Sequence, residues 1–113
     1  MNFQVLSQNA LFLLGEGIKR GDKATALRAF NAIVEDISSE APSLFFFRFY
    51  CADLLAAILR QIESMNLYLP KERVHQLLSF NSQSEFVKKT SLFLEDLCSM
   101  VEERLSQENE QHK

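Results

Sequence analysis

Residues 44–59 form an almost continuous apolar stretch, and this stretch strongly limits what the chain can fold into. Its first part, Phe45–Tyr50, has the strongest β-propensity of any segment. It leads without a glycine or proline into good helix-forming residues, Ala52–Leu59, which favours one continuous helix. The stretch carries Arg48 and Asp53 and is shorter than the ~20 residues of a membrane span. We therefore predict a helix that is apolar on nearly all sides and lies in the middle of a soluble bundle.

The scarcity of chain-breaking residues extends the helical prediction to the whole sequence. The 113 residues include 3 glycines and 2 prolines, which leaves little room for the turns of an all-β fold. Apolar residues make up 47% and charged residues 24%, as in globular proteins. We predict an all-α fold, a single bundle of about five helices around a central third helix. Residues 1–105 would form this domain, and residues 106–113 a frayed polar tail or linker.

Local start and stop signals place the helix boundaries. Gly21 suits the left-handed position after a first helix, and Asp22 suits the N-cap of a second. Pro70 can open a short fourth helix, and Ser82 with Glu85 has the spacing of a capping box. The predicted helices cover residues 2–20, 23–37, 42–65, 70–78 and 83–105.

Charge and cysteine usage exclude several classes of function. The net charge of −3 gives no electrostatic footprint for nucleic acid, so we expect no direct nucleic-acid binding. Cys51 and Cys98 each lie alone in an apolar stretch without a CxxC spacing. They are expected to be free thiols packed as small hydrophobic side chains. These thiols and the absence of a basic secretory signal at the N-terminus indicate a cytoplasmic protein.

The residue types that carry chemistry in enzymes occur here without partners. His75 stands alone on a short helix, and neither a second histidine nor a carboxylate lies at a convincing metal-ligand spacing from it. No Gly-x-Ser-x-Gly turn is present, and acidic pairs such as Glu35–Asp36 fall on polar helix faces. We predict no catalytic residues, no metal site and no cofactor, and we expect that the chain is not an enzyme.

Arg48 and Asp53 are the most informative charges because apolar residues surround them. They are about 140° apart around a helix, so they cannot pair with each other. One interpretation makes them buried structural charges that satisfy loop backbone or charges on neighbouring helices. The other is a ligand-binding site for a small apolar molecule, lined by Phe45, Phe46, Arg48 and Phe49.

Apolar residues on otherwise polar helix faces are candidates for an interface. Val5 and Phe12 fall together on the polar side of the first helix, and Leu92 falls on the polar side of the fifth. They are either scattered exposed residues of the ordinary kind or contacts for a second copy or for adjoining domains. The second interpretation predicts a homodimer or a docked neighbouring domain, and no membrane span in this segment.

Three segments show a characteristic order of residues, one for each long part of the predicted bundle. They are Gly21-Asp22 with Ala26-Leu27-x-x-Phe30, then Tyr50-Cys51-x-Asp53-Leu54-Leu55, then Leu94-x-x-Leu97-x-x-x-Val101. This order resembles the all-helical segment that precedes the AraC-type helix-turn-helix domain in bacterial AraC-family transcription regulators. That family includes YesN-like response regulators and membrane-bound sensors with an extracellular Cache domain. The likeness covers residues 2–105.

The resemblance implies a non-catalytic, cytoplasmic module for signal relay and dimerisation in a bacterial transcription regulator. In such proteins an input domain lies on the N-terminal side and the DNA-binding domain follows the last helix. The sequence contains no helix-turn-helix units of its own, so we expect an excised segment of a longer regulator rather than a free-standing relative. The alternative is a small-ligand-binding helical domain with a phenylalanine-lined pocket.

Overall fold

A computed structural model describes residues 7–111, and every regular element in that range is helical. The helices are α1 (Gln8–Arg20), α2 (Lys23–Glu40), α3 (Leu44–Ser64), α4 (Lys71–Leu77) and α5 (Gln83–Gln111). The prediction of an all-α bundle of five helices is confirmed. None of the described helices has a stretch that is both apolar and long enough to cross a membrane.

Polar side chains cap the helices where the sequence predicts it. Asp22 accepts a hydrogen bond from the backbone N–H of Thr25 and begins α2. Ser82 accepts from the N–H of Glu85, while the Glu85 carboxylate accepts from the N–H of Asn81. This arrangement differs from a standard capping box by one residue, because the carboxylate reaches past Ser82.

Two residues end helices in the left-handed conformation. Gly21 follows α1 with φ 67°, and Asn66 follows α3 with φ 56°. Both residue types tolerate positive φ, which explains why α1 and α3 stop there.

Three boundaries differ from the predicted ones by more than two residues. Helix α1 begins at Gln8 because the Ser7 side chain caps it by accepting from Ala10 N–H, and the predicted residues 2–6 lie outside the described range. Helix α2 continues through Glu40, and the Ser39 hydroxyl bonds back to the Asp36 carbonyl. Helix α5 continues to Gln111 instead of ending near residue 105, because good helix formers without a breaker fill its last turns.

Helices α1, α2 and α5 pack closely together, with α1 against α2 as the tightest pair. Gly17 makes this contact possible, because a methyl group there would lie 2.7 Å from the backbone nitrogen of Ala26. Aliphatic side chains fill the space between the three helices, among them Ile18, Ile33 and Leu94, which are fully or almost fully buried.

Phenylalanine rings join α3 and the loop before α5 to this unit. Phe47 of α3 meets Phe80 and Phe86 edge to face, with ring centroids 5.9 and 5.8 Å apart. Phe86 also contacts Phe30 of α2 at 5.9 Å. Such edge-to-face pairs bury large apolar area in a defined geometry. This cluster holds the loop before α5 and the N-terminal half of α3 against α2.

Within residues 7–111, other elements cover helix α3 on one side only. Phe47, Leu54 and Ile58 are buried on its inner side. On its outer side Phe45 and Phe49 are 71% and 51% exposed. The expectation that neighbouring helices surround α3 therefore holds for its inner half alone within residues 7–111, because α1, α2 and the loop that carries Phe80 pack against that half.

Candidate interaction surfaces

The connection between α1 and α2 lies directly against α5. A methyl group at Gly21 would be 2.8 Å from the backbone nitrogen of Glu102 and 2.9 Å from the carbonyl oxygen of Cys98. Only a glycine combines this close approach with the positive φ of the turn. The α1–α2 connection is therefore in direct backbone contact with α5 at residues 98–102, and it cannot move towards α5 without displacing that helix.

Beyond this point α5 continues as a polar helix. Up to residue 108, Val101 is the last fully buried residue of α5, and residues 106–108 are exposed. Arg104 fixes the start of this segment, because its guanidinium donates to the carbonyl oxygen of Met65 at 2.6 Å. The same side chain pairs with Glu108 at 3.7 Å across one helical turn. The polar segment thus continues α5 beyond the packed bundle as one uninterrupted helix.

The predicted interface residues lie on separate surfaces. Phe12 is 64% exposed beside an open cleft of about 390 Å³ between α1 and the C-terminal end of α3, which Gln61 and Met65 also line. Leu92 is 56% exposed beside α4, next to Arg73. Val5 lies outside the described residues. Within the described part, Phe12 and Leu92 do not form one joint patch.

The prediction that Arg48 and Asp53 are buried is wrong, because both side chains lie on the exposed half of α3. Arg48 still anchors a loop, since its Nη2 donates to the carbonyl oxygen of Phe80 at 2.6 Å and its guanidinium covers the Phe80 ring at 5.4 Å. The expected link to loop backbone is therefore present for Arg48. Its partner is distant in sequence, and no local sequence signal indicates it.

The four residues predicted to line a ligand pocket do not enclose a cavity. Phe45 and Phe49 are exposed, Phe46 is half-buried, and Arg48 lies along the surface towards Phe80. The phenylalanine that is fully buried in this segment is Phe47, which belongs to the aromatic core. These side chains form an outer face and not a binding site of the enclosed kind.

Within residues 7–111, Cys51, Cys98 and His75 take no part in a reactive arrangement. Cys51 and Cys98 are free and buried, as predicted, and burial raises the pKa of Cys51 to about 12 and that of Cys98 to about 11. Both thiols are therefore protonated near neutral pH and unreactive as nucleophiles. His75 is exposed on α4. Among residues 7–111, no group of three or more His, Cys, Asp or Glu side chains could hold a metal ion.

Sequence reasoning missed two features of these surfaces. The contact of Gly21 with α5 joins residues far apart in sequence, and the glycine itself was the available signal. The exposure of Phe45 and Phe49 was missed because an all-round apolar helix gives no indication of which side its neighbours cover.

Compared with known protein families, curated proteins and solved structures, the chain has no significant match.

Proposed function

We propose that the chain is a non-catalytic module for signal relay and dimerisation in a bacterial transcription regulator of the AraC type, acting in the cytoplasm. In this proposal a domain next to α1 supplies the signal, and a helix-turn-helix domain next to α5 receives it. The module itself makes no contact with DNA, in keeping with its net charge of −3. The resemblance in residue order supplies the family, and the arrangement of the helices supplies a route for the signal.

The observation that supports the relay is the contact of Gly21 with the backbone of α5. The backbone of the turn at Gly21 touches the backbone of α5 at residues 98–102 without an intervening side chain. Because close-packed backbone does not yield, a movement of α1 and α2 displaces α5 as well. Helix α5 has 29 residues, a length of about 43 Å at 1.5 Å per residue. A rigid rod of this length converts a small rotation at the core into a larger displacement at its far end.

Phe12 and Leu92 are the proposed contacts for adjoining domains. Each is an exposed large apolar side chain on a helix that carries the signal in this proposal. Phe12 borders an open cleft, which gives an incoming side chain of a neighbouring domain a place to pack. The residues lie apart, so two different neighbours could use them.

The relay can be tested by changing the helical phase of α5. The chain is joined in front of an AraC-type DNA-binding domain, and alanines are inserted between the exposed residues Ser106 and Gln107. One alanine rotates everything that follows by about 100°, while seven alanines restore the phase to within about 20°. We expect one insertion to abolish output from a reporter gene and seven insertions to retain most of it.

A chimera with Ser106→Ala and Gln107→Ala, without an insertion, controls for the change of side chains. Equal output from the one-alanine and seven-alanine chimeras would contradict the relay, because a loosely tethered DNA-binding domain ignores helical phase.

A further inference from the structure

The outer face of α3 combines exposed aromatic rings with small residues. Phe45 and Phe49 are 71% and 51% exposed, Ala52 is exposed, and Ala56 is half-buried. At 100° per residue these four side chains fall within an arc of about 60°, opposite the buried Leu54. The large residues occupy the N-terminal half of the arc, and the small ones follow them. A face of this kind leaves room for another helix to approach closely beside the alanines.

Charged residues are distributed along both sides of this face. Asp53 and Arg60 lie on one side of Phe49, two helical turns or about 10 Å apart. Both are exposed, and neither forms an ion pair within residues 7–111. Arg48, also exposed, lies on the other side of the face, while the exposed Glu63 lies on the face itself, at the angle of Phe45. The side with Asp53 and Arg60 therefore carries one negative and one positive charge.

The order of these charges is complementary to itself when a second helix runs in the opposite direction. A two-fold axis beside Ala56 brings Asp53 of one copy level with Arg60 of the other, on the same side of the interface. This pair occurs twice. A parallel two-fold arrangement would instead place the Asp53 and Arg60 residues of the two copies on opposite sides of the interface, where they could not pair.

We propose that the outer face of α3 binds a second copy of this chain through an antiparallel α3–α3 contact centred on Ala56. This inference rests on the proposed function, because it names the surface through which the module dimerises. Phe49 of each copy lies over the C-terminal end of the other α3, and Phe45 lies at the level of the residues that follow that helix. A standard interface buries at least about 1,200 Å² of accessible surface, and one pair of helices buries less. The association is therefore weak and depends on the protein concentration.

Sedimentation equilibrium of charge-reversal variants tests the proposal. Alone, Asp53→Arg and Arg60→Asp each place like charges opposite one another twice, and each should weaken self-association about tenfold or more. An equimolar mixture of the two variants should associate at least as well as the wild type, because each copy then presents the complement of the other. The double variant should also associate. All measurements are made at low ionic strength, where such pairs are least screened.

Glu35→Arg, an exposed reversal on α2, is the matched control and should leave association unchanged. Helical circular dichroism of every variant verifies that it is folded. Association of both single variants at wild-type strength would overturn the α3 interface and point to the surfaces around Phe12 and Leu92. A mixture that remains monomeric, or a wild type that is monomeric at all concentrations, would overturn it too. The relay is judged separately by the insertion series, so the two failures are distinguishable.

Discussion

At the scale of single residues, Thr90 departs from the pattern of the core. It is the one polar residue among the fully buried side chains that the structure describes. Its hydroxyl has no hydrogen-bond partner within residues 7–111. A buried hydroxyl without a partner keeps its desolvation cost, so the threonine lowers the stability of the helix packing around it.

Thr90→Val should raise the free energy of unfolding by about 1 kcal/mol, because it removes the unpaired hydroxyl and keeps the branched shape. Urea unfolding followed by circular dichroism measures the change. Thr90→Ser, which keeps the hydroxyl and deletes the methyl group, should be less stable than the wild type. A lower stability of Thr90→Val would mean that the hydroxyl has a partner, such as a buried water.

At the scale of helices, two glycines of α1 show how packing decides the effect of the same substitution. A methyl group at Gly17 would meet the backbone nitrogen of Ala26 at 2.7 Å, and backbone cannot move aside. A methyl group at Gly15 would meet only Oε1 of Gln61 at 3.1 Å, at the end of a side chain that can rotate. Both positions have ordinary helical backbone, so helix propensity favours alanine equally at each.

Gly17→Ala should therefore destabilise the protein by about 1–3 kcal/mol through forced separation of α1 and α2. Gly15→Ala should be neutral or stabilising by up to about 1 kcal/mol, since alanine is the better helix former. Thermal denaturation of the two variants side by side provides the comparison. If both lowered the melting temperature equally, close packing at Gly17 would not be the cause.

Much of this element-scale arrangement follows from the sequence, and part of it does not. Helix-ending signals at Gly21 and Asn66 and the cap at Asp22 are local, so they could be predicted. The burial of Arg48 was predicted wrongly, because this residue lies on the exposed side of α3. Its bond to the Phe80 carbonyl joins residues far apart in sequence, and such long-range pairing has no local signature. The exposed side of α3 likewise depends on which helices pack where, which composition alone leaves open.

At the scale of the whole molecule, two helix caps make the stability of the fold depend on acidity. The Thr25 hydroxyl, followed by the Thr25 backbone N–H, lowers the pKa of Asp22. The backbone N–H of Asn81, followed by Lys89, lowers the pKa of Glu85. In the folded state these hydrogen bonds therefore favour the charged forms of Asp22 and Glu85. The stability that these two carboxylates contribute is present above their unfolded pKa values, at about pH 4, and is lost as the pH falls through the lower folded values.

Asp22→Asn should have a stability close to that of the wild type at neutral pH, because asparagine also caps helices well. Below about pH 4 the wild type should lose stability more steeply than the variant, which cannot be protonated at this position. Urea unfolding at a series of pH values measures both slopes. Glu35→Gln, which removes an exposed carboxylate without a capping role, is the control. If stability fell with pH equally steeply in Asp22→Asn and in the wild type, this role of Asp22 would be contradicted.

The two-residue connection between α1 and α2 also has a consequence for the order in which the chain folds. The contacts of this helical hairpin are local in sequence, so it can form early and at small entropic cost. Phe30 on α2, however, is covered by Phe86 of α5, which leaves the ribosome much later. During synthesis the hairpin thus exposes an apolar surface until α5 has been made and packs against it. The nascent chain is most prone to aggregation in this interval.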